Sequence, residues 1–379
     1  MVGDNLQNLR KKNVALMVSN ISTLGGAERV TAILSELLSQ YYNCSIITQW
    51  FNNKYSYNIS NNVDVFNLYT NKRRLVFSVF DSVYKIRKYI INNNIDVLLI
   101  IGRNNGILPF LLKPFIKSKI IFCEHSTINT KYINKKMNFK ETIYNKILKW
   151  NIVNCSDRIV VLTEKEANNY MNILNIKKER IEVIPNVNRL PNSLYGKYNV
   201  KSRIICTVGR IEDEKGTDLL FDVAKKVFAL HKNWEWHLYG NGHNDYILKL
   251  KEKIHNAGLE KNFLIMGPTL QVDEVMMDSS FFVFGSRYEG FGLVLLEAKN
   301  NKLPLVSFDI YSGPSDIIRD GIDGFLIEPF NIYDMANKIC ELIENKELRQ
   351  RFSDNSSGNL CKFDKDTIIK KWCTLIDNI

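Results

Sequence analysis

The chain has 379 residues, 45% of them apolar and 24% charged, with a formal net charge of +11. That composition excludes collagen-like, low-complexity and wholly disordered chains, and it suffices for two domains of ordinary size with substantial cores. The charge is uneven: residues 1–200 hold 28 Lys and Arg against 13 Asp and Glu, or +15, whereas residues 201–379 hold 23 against 27, or −4. A basic first half suits an anionic partner such as nucleic acid, a phosphorylated substrate or a membrane surface.

In chain order, the first apolar run is Val14 to Val18, preceded by Arg10, Lys11 and Lys12. Five apolar residues are too few for the hydrophobic region of a signal peptide, so the run reads as a first strand over 14–19. Further strands are predicted at 97–101, 120–123, 158–162 and 181–184. Their apolar character is continuous rather than alternating, which marks strands buried on both faces of a parallel sheet. None approaches the ~20 residues of a membrane-spanning helix. After a Pro- and Asn-rich stretch over 185–198 the rhythm restarts, with strands at 204–209, 236–239, 263–267, 281–285 and 305–308 and helices near 217–230, 245–257 and 292–301. The fold class expected is α/β, as two Rossmann-like doubly wound domains. Seven scattered cysteines without a Cys-x-x-Cys pair or zinc-type histidine spacing suit a reduced, cytoplasmic protein.

Three glycine-punctuated loops carry the chemistry. Leu24-Gly25-Gly26-Ala27-Glu28-Arg29 lies between the first strand and a helix, where backbone amides and the helix dipole can receive a phosphate; a plain tight turn accounts for it equally well. Gly209-Arg210 and Lys215-Gly216 follow the strand at 204–209, placing a guanidinium fork and an ammonium where both can meet one diphosphate. Ser286-Arg287-Tyr288-Glu289-Gly290-Phe291-Gly292-Leu293 leads into a helix carrying Glu297 in its second turn. At ~1.5 Å rise per helical residue, Glu289 and Glu297 stand on the order of 10 Å apart, suited to holding two hydroxyl-bearing groups on either side of a diphosphate. No Gly-x-Gly-x-x-Gly fingerprint is present, which argues against a dinucleotide-dependent oxidoreductase.

The segment from Glu289 to Glu297 resembles the Glu-x7-Glu signature of retaining nucleotide-sugar glycosyltransferases of the GT-B fold, glycosyltransferase family 4. Gly209-Arg210 with Lys215-Gly216 resembles that family's diphosphate loop, and Gly25-Gly26 its N-terminal glycine loop. The resemblance implies two domains facing across a cleft: an acceptor domain over 1–190, a linker over 191–200, a donor domain over 201–363 and a terminal helix over 364–379 returning to the first domain. It implies that Arg210 and Lys215 stabilise the departing diphosphate. Glu289, with Gly290, Phe291, Gly292 and Leu293, would hold the donor sugar, and Glu297 the ribose. His125, in Cys123-Glu124-His125-Ser126 at a strand's carboxyl end, would touch the donor sugar from the first domain. No cofactor and no essential metal are implied, and Asp364-x-Asp366 reads as a helix start rather than a metal site.

The segment from Asp309 to Ile318, with Gly321, Gly324 and Phe325, is most similar to enzymes of bacterial surface polysaccharide assembly. That likeness implies a UDP-hexose or UDP-N-acetylhexosamine donor and a glycan or lipid-linked acceptor. Lys299 and Asn300 depart from the small residues usual after the second glutamate. Residues 131–150 hold Lys131, Lys135, Lys136, Lys140, Lys146 and Lys149 among Tyr132, Phe139, Tyr144 and Trp150, with Glu141 the single acid. Such a stretch suits peripheral contact with an anionic membrane on its cytoplasmic face. No nucleic-acid module accompanies it, so nucleic acid is not the expected partner. A non-catalytic sugar-nucleotide binder remains the other class compatible with these motifs.

Overall fold

A computed structural model of the chain describes residues 10–23, 25–51, 55–70, 75–105, 108–128, 139–188 and 198–379. Within them, residues 10–128, 139–187 and 365–379 form one compact unit, and Asn188 with residues 198–364 forms the other.

The first unit is built on seven parallel strands: β1 (Asn13–Asn20), β2 (Asn43–Trp50), β3 (Val63–Tyr69), β4 (Val97–Ile101), β5 (Lys119–Cys123), β6 (Arg158–Val161) and β7 (Ile181–Val183). Their order is β3-β2-β1-β4-β5-β6-β7, so the winding direction reverses between β1 and β4. Helices α1 (Gly26–Leu38), α2 (Leu75–Asn92), α3 (Leu108–Leu112), α4 (Phe139–Cys155) and α5 (Glu164–Leu174) connect them. The unbroken apolar runs have a direct cause. Ala15 and Met17 face one core with Leu98 and Ile100, while Val14, Leu16 and Val18 face a second core with Val97, Leu99 and Ile101. Side chains alternate across a strand, so a sheet covered on both sides needs apolar residues at every position.

The second unit has six parallel strands, β8 (Ile204–Val208), β9 (Glu235–Tyr239), β10 (Phe263–Gly267), β11 (Phe281–Phe284), β12 (Leu305–Phe308) and β13 (Gly324–Ile327), in the order β10-β9-β8-β11-β12-β13. Here the reversal falls between β8 and β11, and in open α/β sheets ligands bind outside the carboxyl ends of the strands at that point. Its helices are α6 (Thr217–Leu230), α7 (Asn244–Asn256), α8 (Val272–Met277), α9 (Leu293–Asn300), α10 (Pro314–Ile317), α11 (Ile332–Glu344) and α12 (Lys346–Asn355). The last helix, α13 (Lys365–Asp377), returns to the first unit, where Ile368, Trp372 and Ile376 are buried in the same core as Leu34 and Leu38 of α1. Lys12 Nζ donates to the Ile376 carbonyl at 2.7 Å, satisfying a helix-end acceptor.

Three strands escape the sequence reading. In β2 the polar Ser45 and Thr48 are buried and interrupt the apolar run. In β3, at the sheet edge, Asp64 and Asn67 break it, and β13 has four residues. Of the predicted linker, residues 191–197 lie outside the described residues. Tyr198 and Val200 are tied to the second unit, the Tyr198 hydroxyl donating to the Ser280 carbonyl at 2.6 Å and Arg349 Nη2 to the Val200 carbonyl at 3.0 Å.

Candidate active site

At the switch point of the second sheet lies a shallow concavity, open to solvent and lined in part by Gly209, Arg210, Lys215, Thr217, Gly285 and Ser286. Two glycines let its walls approach. Gly216 has φ +62°, and a Cβ there would stand 2.0 Å from the Gly285 carbonyl oxygen. Gly240 has φ +155°, and its Cβ would stand 1.7 Å from the Gly209 carbonyl oxygen. Both are backbone clashes that no rotamer relieves, so the loops after β8, β9 and β11 meet only because these positions lack a side chain.

The single turn Asp213–Lys215, ended by Gly216 in the left-handed conformation, turns Lys215 toward the loop after β11. There Lys215 Nζ lies 2.5 Å from Glu289 Oε1, and the Ser286 hydroxyl donates to the same oxygen at 2.8 Å. Arg210 is more exposed; its guanidinium pairs with Glu212 at 2.9 Å and with Glu214 at 3.3 Å. Burial pushes the Glu212 carboxyl up although Arg210 opposes the shift. Arg287 braces the loop from behind: it grips Asp218 through both nitrogens, at 2.7 and 2.6 Å, and its own amide donates to the Glu214 carbonyl at 3.0 Å. Arg287, Asp218 and Ser286 are supports that the sequence reading did not single out. The fork geometry of an Arg–carboxylate pair is their one sequence-level signal, and it needs the fold to bring residues 69 positions apart together.

Gly290, Phe291, Gly292 and Leu293 form the turn into α9, with Gly292 at φ +87° capping the helix. The Phe291 ring is buried, meeting Phe363 edge-on at 5.5 Å between centroids. The Gly290 carbonyl accepts from the Ser312 hydroxyl at 3.2 Å, and Gly313 (φ +102°) closes on the Phe291 carbonyl, where a Cβ would stand 2.3 Å from the oxygen. Thus the segment around Gly313 shapes the glutamate loop from outside. Glu297 lies on the buried side of α9 with 9% exposure.

Lys299 and Asn300 acquire physical roles. Lys299 is fully buried, and its ammonium donates to the Ile317 carbonyl at 2.9 Å, Asp323 Oδ2 at 2.8 Å and Asn359 Oδ1 at 2.6 Å. Burial pulls its pKa down while Asp323 resists the shift. Asn300 and Asn188 exchange two amide hydrogen bonds, at 2.9 and 2.7 Å. These contacts anchor the C-terminal end of α9, leaving its N-terminal end to carry the glutamate loop.

The remaining predicted residues sit in the first unit. Gly25 caps α1 and Gly26 is its first residue, with open space where a Cβ would go. His125 follows β5. Although it keeps some exposure, desolvation pushes its imidazole pKa down to about 4, with Glu124 opposing the shift. Asp364 immediately precedes α13 and Asp366 lies in its first turn, as a helix start requires. Within the basic stretch, residues 131–138 and the side chains of residues 139–145 lie outside those described. Lys146 and Trp150 are exposed on α4, Trp150 meeting the exposed Phe110 edge-on at 5.8 Å. Among the described residues no helix is long and apolar enough to cross a membrane.

A pair of parallel-sheet α/β units, each with its own switch point, is the architecture of the GT-B fold. Residues 24–187 match the family model described as Glycosyltransferase Family 4, and residues 196–358 the one described as Glycosyl transferases group 1. The chain belongs to the family 4 glycosyltransferases of the GT-B fold. It is 33% identical over 252 residues to the poly(ribitol-phosphate) alpha-N-acetylglucosaminyltransferase of Staphylococcus aureus, an alignment covering 65% of this chain and 50% of that protein. It is 28% identical over 372 residues to the amylovoran biosynthesis glycosyltransferase of Erwinia amylovora, covering 96% of this chain and 99% of that one. Its fold is shared with Anabaena HepE in complex with UDP and glucose, at a TM-score of 0.80 and 15% identity over 98% of this chain and 100% of that one. Membership in this family sets aside the oxidoreductase alternative.

Proposed function

We propose that this protein is a retaining glycosyltransferase that moves a hexose or N-acetylhexosamine from a UDP-linked donor to a hydroxyl of a glycan or lipid-linked acceptor in bacterial surface polysaccharide assembly. The observation that carries this reading is the convergence of Arg210, Lys215 and Glu289 at the switch point of the second sheet. The names of the Staphylococcus and Erwinia relatives support the polymer class, and the UDP and glucose of HepE support the donor class.

In this reading the diphosphate enters as a competing anion. Arg210 leaves Glu212 and Glu214 and Lys215 leaves Glu289, and both turn to the phosphates. The bond between the anomeric carbon and the phosphate oxygen breaks, and the acceptor oxygen bonds the same face. The departing phosphate oxygen takes the acceptor's proton, so no separate base is required. Once turned to the phosphates, Arg210 and Lys215 stabilise the charge growing on the diphosphate. They do the work a metal would otherwise do, and no metal is essential. The amides of Gly25, Gly26 and Gly209 assist them. Glu289, with the amides of Phe291 and Gly292, holds the sugar hydroxyls, Glu297 the ribose, and neutral His125 the donor sugar. Gly290 and Leu293 shape that turn. The basic first half, including Lys146 and Trp150, rests on the anionic cytoplasmic face of the membrane. UDP release from a panel of nucleotide sugars tests the reading: turnover of one UDP-sugar, lost in Glu289→Ala, supports it, and turnover unaffected by that substitution removes the site assignment.

A further inference from the structure

The loop after β5, residues His125 to Ile128, is held by two buried carboxylates from different elements. Glu124, whose side chain is fully buried, accepts the Ser126 amide on Oε1 at 2.9 Å. Its Oε2 accepts Arg103 Nε at 2.7 Å and the Tyr170 hydroxyl at 2.6 Å. Glu166, in the first turn of α5 and 1% exposed, accepts the Ile128 amide on Oε1 at 2.6 Å. Its Oε2 accepts the Thr127 hydroxyl and Asn169 Nδ2, each at 2.8 Å. Three successive residues after His125 are therefore fixed by carboxylate oxygens, while Thr163 caps α5 and sets the turn that delivers Glu166.

This arrangement is expensive. Glu124 pairs with Arg103 in a desolvated region, whereas the donors to Glu166 named above are all uncharged, and its carboxyl is pushed up first by burial and further by Glu124. Well-packed apolar side chains would support a strand end at lower cost, since buried ionic groups seldom repay their desolvation. What the acids supply and apolar packing does not is directional acceptors: five hydrogen-bond donors on residues 126–128, on Tyr170 and on Asn169 each have one placed oxygen. In the four-residue loop that opens with His125, the three residues after the histidine are thereby each tied to a buried carboxylate.

We propose that Glu124 and Glu166 are positioning residues that lock the His125–Ile128 loop and thereby aim the His125 ring at the donor sugar. This inference rests on the glycosyltransferase reading above. Neither acid touches the reacting atoms; both act through the loop. A misplacement of about 1 Å in such a group costs on the order of 100-fold in rate.

The test uses the full chain and UDP-N-acetylglucosamine hydrolysis, with Glu124→Gln, Glu166→Gln, His125→Ala and the two double variants. Each glutamine variant is expected to lower kcat about 10- to 100-fold and leave KM within about twofold. Neither is expected to add to the loss in His125→Ala, because all act through one ring. Losses that multiply in the double variants, or a rise in KM with kcat unchanged, overturn the proposal. Amide hydrogen exchange on the same proteins without substrate gives a readout free of turnover. Faster exchange confined to residues 125–128 supports the lock, and loss of protection throughout β5 and β6 overturns it. Should a glutamine variant unfold, Glu166→Asp, which keeps the charge and shortens the reach, is expected to show the same confined exchange. If the wild-type protein releases UDP neither from UDP-N-acetylglucosamine nor from any other sugar of the nucleotide-sugar panel, the donor reading fails while confined exchange still upholds the lock.

Discussion

Lys215 Nζ sits 2.5 Å from Glu289 Oε1, so the cation proposed for the diphosphate and the carboxylate proposed for the sugar are each other's partner here. The pair is mostly shielded, at 24% and 15% side-chain exposure, so water screens it poorly and its exchange for a phosphate has an energetic consequence.

Because Glu289 competes with the diphosphate for Lys215, Glu289→Gln is expected to bind UDP at least as tightly as the wild type while donor turnover falls about 100-fold. Lys215→Ala is expected to lose both. Calorimetric titration with UDP beside a UDP-release assay separates them; weaker UDP binding in Glu289→Gln would break the link.

Arg210 is paired with Glu212 and Glu214 at the open rim of the site. Charge-assisted hydrogen bonds contribute ~1.5–3 kcal/mol, so Arg210→Ala is expected to weaken UDP binding roughly 10- to 150-fold. Glu214→Gln removes a rival anion and is expected to tighten it, with a steeper salt dependence, since salt no longer also screens a competing ion pair. An unchanged dissociation constant in Arg210→Ala would exclude the guanidinium from the diphosphate.

Gly313 offers no side chain, yet Gly313→Ala is expected to disable the donor site. Its φ of +102° and the 2.3 Å approach to the Phe291 oxygen force either residue 313 or the glutamate loop to move. Strain of ~1–3 kcal/mol should lower Tm by several degrees and donor turnover by much more. Thermal melting and UDP release on one sample decide it: a normal melting temperature with normal turnover refutes the contact.

Lys299 carries the opposite expectation: a structural loss first. Lys299→Ala leaves Asn359 and the Ile317 carbonyl facing a void and removes one of the two cations paired with the buried Asp323, Arg319 keeping its contact at 2.7 Å. Breaking a buried pair in this way costs ~3–5 kcal/mol. Urea unfolding followed through the second unit's Trp234 and Trp236 is the measurement, and a change under about 1 kcal/mol would show that the void takes up water.

The His125 imidazole, held at a pKa of about 4, is neutral throughout the physiological range. Its ring resonances are expected to stay flat from pH 8 to pH 5. In the unfolded chain the ring protonates near ~6.5, so its contribution to stability is complete above that value and is lost as pH falls toward 4. A ring titrating near 6.5 in the folded protein would contradict the desolvation that sets this value.

Both halves of the α/β architecture, the five strands named in each and the three glycine loops were legible because the signals are local: continuous apolar runs, glycine between strand and helix, and an acid in the loop followed by one on the helix it enters. The strands β2, β3 and β13 were not: buried Ser45 and Thr48 interrupt β2, Asp64 and Asn67 interrupt β3, and β13 opens on Gly324 directly after the Asp- and Gly-rich segment 320–323. The roles of Glu124 and Glu166 were equally hidden, since a glutamate reads as surface until the chain buries it.

The amino-acid sequence by itself singled out the residues proposed to serve a sugar nucleotide: Arg210, Lys215, Glu289, Glu297 and the glycines beside them, whose chemistry and local spacing are properties of short segments. Only the tertiary structure decided what those residues touch. Gly216 and Gly240 bring three loops within backbone contact, Lys215 finds Glu289 across 74 positions, and Lys299 is drawn into a buried network with Asp323 and Asn359. The physical reason is range: hydrophobic period and helix geometry act over a few residues, whereas ion pairing and desolvation depend on which distant segments the folded sheet brings together.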